Sequence, residues 1–160
     1  MKALRLISHL VFAGFACAAG DPFIGSWKLD ASKSTFASGD PSVIFATARI
    51  ESIGNDLKST ISVADGEGFA SDLTFNSPLD GTPVKVTSAM TMRGAAGIDT
   101  ISLKRVNGHT IAATGTRAGK VVYSDVRVVS ADGNTMTVSR KGTTPDGKPY
   151  ESTLILIRSR

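Results

Sequence analysis

Cysteine is nearly absent from this chain of 160 residues, and the single thiol, Cys17, stands inside an apolar N-terminal stretch. A disulfide framework, thiolate-ligated zinc and iron–sulfur chemistry are thereby excluded. Histidine is scarce as well, His9 and His109 alone, so no set of imidazoles holds a metal within one chain. The acidic residues show no clustering that would replace them. A serine nucleophile needs a base held by an orienting acid, and His109 follows the turn dipeptide Asn107-Gly108, a poor place for that base. An exposed residue beside a turn is its reading, and the chain is expected not to be an enzyme. Aromatics are few, 6% of residues against 41% hydrophobic and 20% charged. No basic run with interleaved aromatics occurs, which speaks against nucleic acid as a partner. What remains is an ordinary globular composition, and the length suits one domain with its own core.

Met1 to Gly20 carries Lys2 and Arg5, then an apolar run from Leu6 to Phe15, then Ala16-Cys17-Ala18-Ala19-Gly20. This charged, apolar, small-residue order is that of a secretory signal peptide, and the apolar run is too short to span a bilayer as a helix. The expectation is export, to the periplasm or the medium, with cleavage after Ala18 or after Gly20. A lipoprotein reading through Cys17 is disfavoured by Gly14, where such signals carry leucine, and by the bulk of Phe15. The remaining domain, 21–160, holds 16 basic against 14 acidic side chains. Most of the basic character of the whole chain therefore leaves with the leader.

Beyond the leader, runs of Val, Ile, Thr, Phe and Met alternate with turn dipeptides about every ten residues, the pattern of an all-β chain. Strands are expected at 24–30, 43–53, 57–64, 68–76, 83–92, 98–106, 109–118, 120–130, 134–142 and 149–158. Gly54-Asn55-Asp56, Asp65-Gly66, Asp80-Gly81, Asn107-Gly108, Asp132-Gly133 and Asp146-Gly147 supply the positive-φ residues that tight hairpins need. Connections this short join antiparallel neighbours. The exception is Ala31 to Ser42, where Asp30-Ala31-Ser32-Lys33-Ser34 suits a single helical turn. Lys33 and Lys58 read as isolated surface charges.

An open meander of ten strands leaves two edges exposed, and closure into an up-and-down barrel removes them. Alternation places Trp27 and Leu29 on one face, as it does Leu57, Ile61 and Val63, then Phe69, Leu73 and Phe75, then Val84, Val86, Met90 and Met92. For 120–130 it does not decide: Val121, Tyr123, Asp125, Arg127 and Val129 share one face, Val122, Val126 and Val128 the other, so Asp125 and Arg127 face either the lumen or the solvent, there paired with neighbouring strands. Few aromatics and many Ala, Ser and Thr imply an underfilled interior, either a lumen with space for a small molecule or a flattened barrel.

Asp21-Pro22-Phe23-Ile24-Gly25-Ser26-Trp27-Lys28-Leu29 resembles the opening of the calycin superfamily, the lipocalins and fatty-acid-binding proteins, where G-x-W starts the first strand. Arg127 to Val138, Lys141-Gly142-Thr143, Asp146 to Pro149 and Leu79 to Val84 resemble small secreted bacterial lipocalin-like proteins. The resemblance implies that Gly25 and Trp27 form a plug at the closed barrel end, covered by Arg158 from the last strand. It also implies a basic ligand contact at Arg127, one residue offset from the family position, with Tyr123 as a second polar group of the lumen. The helical lid of the fatty-acid-binding proteins does not fit between the first two strands here. The final strand lacks their Arg-x-Tyr pair, so the resemblance alone does not carry a carboxylate site. Related barrels that bind haem through an axial histidine leave that role open for His109, although no cofactor is expected. The expected function is a monomeric, exported, non-enzymatic barrel that binds a small apolar or amphipathic ligand in its lumen. The alternative is an interaction or inhibitor module that grips a partner protein through its loops.

Overall fold

A computed structural model describes residues 20–37, 43–65, 70–88, 97–144 and 146–159; the segment up to Ala19, where a signal peptide is expected, and Phe69, Met90 and Met92 lie outside them. Among the described residues the chain forms β1 (Gly25–Leu29), a 3-10 turn (Ala31–Lys33), β2 (Val43–Ile53), β3 (Asp56–Asp65), β4 (Ala70–Ser77), β5 (Asp80–Lys85), β6 (Thr87–Ser88), β7 (Thr100–Asn107), β8 (Thr110–Arg117), β9 (Lys120–Val129), β10 (Thr135–Thr143) and β11 (Pro149–Ser159). No helix among them is long and apolar enough to cross a membrane.

The strands make one antiparallel sheet in the order β5-β7-β8-β9-β10-β11-β1-β2-β3-β4-β6. Its two ends, β5 and β6, are consecutive halves of one strand bent at Val86. The first half pairs with β7 (Val84 opposite Ile101) and the second with β4 (Leu73 opposite Ser88). Counted as one, they bring the total to ten and bring the sheet nearly to a closed cylinder. β1 and β11 pair directly, Trp27 opposite Arg158. The barrel thus buries its strand edges through backbone pairing, which is what closure is for. The strand expected over 83–92 is described as far as Ser88, where it starts at Asp80 and changes partner at Val86; 89–92 lie outside the described residues. Lys33 is not isolated either, since its ammonium lies 3.1 Å from the Asp30 carboxylate.

Inward positions follow the period of two. Trp27, Leu29, Leu57, Val63, Leu73 and Phe75 are buried, while Ile61, Val84 and Val86 pack against that core at intermediate exposure. Trp27 has no exposed surface. Its indole N–H donates to the Phe23 carbonyl at 3.0 Å, and the Arg158 guanidinium lies 4.3 Å from its ring, a contact worth about 0.5–2 kcal/mol. Arg158 also donates to the carbonyls of Gly133 (2.5 Å), Ile24 (2.7 Å) and Pro22 (2.6 Å), stapling three segments together. Gly25 sits at φ +140°, and a Cβ there would overlap the Arg158 guanidinium. The G-x-W spacing has a physical reason: the glycine leaves room for the cation that covers the tryptophan.

Candidate functional site

Strand β9 turns its polar face inward. Tyr123, Asp125, Arg127 and Val129 are buried, whereas Val121, Val126 and Val128 are exposed. The solvent-facing alternative for Asp125 and Arg127 is overturned. The reason lies on β10: the hairpin centred on Asp132-Gly133 places Arg140 opposite Asp125 and Val138 opposite Arg127. Arg140 embraces the carboxylate in bidentate fashion, Nε to Oδ1 at 2.8 Å and Nη2 to Oδ2 at 3.0 Å. Arg127 reaches the same carboxylate through Nη2 alone, at 3.3 Å. The Asp125 side chain is fully buried. Burial by itself would raise its pKa, but the two guanidiniums outweigh that and hold it below the ordinary carboxylate value.

Tyr123 belongs to the same cluster. Arg140 stacks 4.1 Å above its ring, and burial raises the phenol above its usual pKa, so it stays protonated at neutral pH. The ring fits because the residue opposite Tyr123 on β8 is Gly115, while Gly142, opposite it on β10, makes room for Tyr150. A Cβ at Gly115 would stand 2.7 Å from the Tyr123 ring, and one at Gly142 would run into Tyr150.

The cluster borders a cavity of about 90 Å³ between β2 and β3 on one side and β9, β10 and β11 on the other. Its apolar lining includes Ala46, Ala48, Ile50, Val138, Leu154 and Leu156, and its polar lining consists of Asp125, Arg127, Arg140, Ser59 and Thr47. Two guanidiniums and one carboxylate leave an excess of one positive charge there. Arg127 is 9% exposed, and its Nε–H has no hydrogen-bond partner among the described residues. An unmet buried donor on a cation costs about 1–3 kcal/mol or more, and is the group an anion would satisfy.

Sequence reasoning named Arg127 and Tyr123 and missed Arg140 and Asp125. Counting outward from Asp132-Gly133 would have paired 125 with 140, so the signal existed. His109 is exposed at the β7–β8 turn, with Nδ1 3.1 Å from the Val129 carbonyl oxygen, and does not enter the cavity.

No family model and no curated protein matches the chain. Among solved structures, zebrafish ileal bile acid-binding protein complexed with cholic acid is similar over 86% of this chain and 99% of that one, with a TM-score of 0.50 and 9% identity. The fold is that of the calycin barrels. An S-type phycobiliprotein lyase from Guillardia theta matches 87% of this chain and 89% of that one, with a TM-score of 0.48 and 10% identity. At such identities the likeness describes the calycin scaffold, and the side chains that fill it are this chain's own.

Proposed function

We propose that this calycin barrel is an exported, non-enzymatic carrier or sensor of a small amphipathic anion, held in the lumen with its acidic group at Arg127. The observation that carries the reading is the buried Arg127 Nε–H, unpartnered among the described residues, in a cluster with one excess positive charge beside an apolar cavity. A buried unbalanced cation is costly unless something neutralises it. An anion from solvent does this while its apolar part takes the wall of Ala46, Ala48, Leu154 and Leu156. The export part rests on the charged, apolar, small-residue order of Met1 to Gly20.

Titration calorimetry with organic acids of graded length, each paired with its alcohol, tests the binding claim. Acids bind saturably, the matching alcohols at least tenfold more weakly, and Arg127→Met loses the acid while circular dichroism stays that of a β-protein. Equal binding of acid and alcohol, or saturable binding of neither, overturns it. Mass analysis of protein recovered outside the cytoplasm tests export, since a mature chain that still begins at Met1 contradicts it.

A further inference from the structure

Resting on that reading, we infer that the barrel selects a compact monoanion, a carboxylate with an apolar body of about three to five carbons, and rejects long acyl chains and sterols. The inference starts from how the interior is filled. Ile101, Leu103 and Ile111 of β7 and β8 and Val129 of β9 are each no more than 2% exposed. They belong to one continuous core with Phe75 and Leu57 from β4 and β3. Arg127 and Arg140 line the space beside it with their long side chains. The cavity at Arg127, among the described residues, measures about 90 Å³. Sites for larger organic ligands run to about 300–1,000 Å³.

Charge sets the other limit. Arg140 is already committed to Asp125 through two short bonds, whereas Arg127 holds the same carboxylate through one long one and keeps Nε free. One guanidinium is thus on offer, and it is matched by one negative charge. A dianion would bring an unneutralised charge into an apolar wall, and a neutral molecule would leave the Nε–H unmet. The volume is set by small residues on β2, Ala46 and Ala48, facing Leu154 and Leu156 of β11. Butyrate, the smallest ligand of this range, with six non-hydrogen atoms, has an affinity ceiling of roughly micromolar.

The series acetate, butyrate, hexanoate, decanoate and cholate, with succinate as dianion, decides the matter by calorimetry or by amide shifts of Arg127 and Val138. Butyrate binds best, decanoate, cholate and succinate at least tenfold more weakly. Ala48→Leu abolishes butyrate binding in a folded protein, and Leu154→Ala moves the optimum to hexanoate. If decanoate or cholate binds more tightly than butyrate, or if succinate does, the size or charge limit is wrong while the lumen reading stands. If no acid binds, or if Arg127→Met leaves butyrate binding unchanged, both fall together.

Discussion

Asp125 carries an unusual share of this molecule's order for one side chain. It accepts from Arg140 and Arg127, which come from two adjacent strands, and among the described residues it is the one carboxylate lining the cavity. Asp125→Asn leaves two buried guanidiniums facing an amide. Breaking a buried ion pair from one side costs about 3–5 kcal/mol, so the urea midpoint should drop by that equivalent. Lys141→Met, which removes the exposed partner of Glu151 on β11, should cost less than about 1 kcal/mol. The same aspartate sets the acid limb. Its pKa in the folded protein lies below the ordinary carboxylate value, so its stabilisation is complete above about pH 4 and is lost as pH falls through the folded value. Wild-type protein should lose stability below about pH 4 more steeply than Asp125→Asn does, by urea unfolding at stepped pH; parallel curves would refute this. The candidate site was only half legible at this scale. Arg127 and Tyr123 stood out as polar groups on an apolar strand, but Arg140 gave no signal until paired across the hairpin.

Strands were more legible than sites because turn chemistry is local. Asn-Gly and Asp-Gly dipeptides mark the chain reversals, and the expected and observed strand bounds differ by only a few residues at most positions. Two features escaped. The bend at Val86 continues an unbroken alternation from Val84, and nothing local announces that the chain changes partners there. The inward face of β9 escaped because both of its faces contain valines, and the deciding contacts come from β8 and β10. One turn departs from its usual chemistry. Ala118 and Gly119, between Arg117 and Lys120, both have positive φ, 49° and 75°, the requirement of a two-residue hairpin turn. Alanine is strained there by about 1–2 kcal/mol, while its N–H is held by the Asp99 carboxylate at 2.7 Å. Ala118→Gly relieves the strain and costs some unfolded-state entropy. A net gain of about 0.5 kcal/mol in the urea midpoint is expected, and a loss would show that Ala118 is not strained.

At the scale of the whole barrel, the scarcity of aromatics shows in the lining of the interior. An interior short of rings was expected to be underfilled, either a lumen with space for a small molecule or a flattened barrel, and the described residues leave a cavity of about 90 Å³ that arginine stems and aliphatics line. Long charged side chains fill volume as effectively as rings when their ends are neutralised. Trp27 lies under Arg158, as the resemblance implied. The inward charges of β9 have one more consequence, for the folding of the chain. A shift of pairing by one residue exchanges the two faces of a strand. For β9 it would put Val126 and Val128 inside and send Asp125 and Arg127 to water, a competitor that hydrophobicity alone would favour. Folding of this sequence is therefore locally frustrated, and the ion cluster acts as the arbiter that rejects the shifted pairing. Replacing Asp125, Arg127 and Arg140 together by leucine should remove the arbiter without leaving a buried charge. The β9 and β10 amides should then show doubled resonances and refold in two phases, one for each pairing, where the natural chain commits to a single barrel.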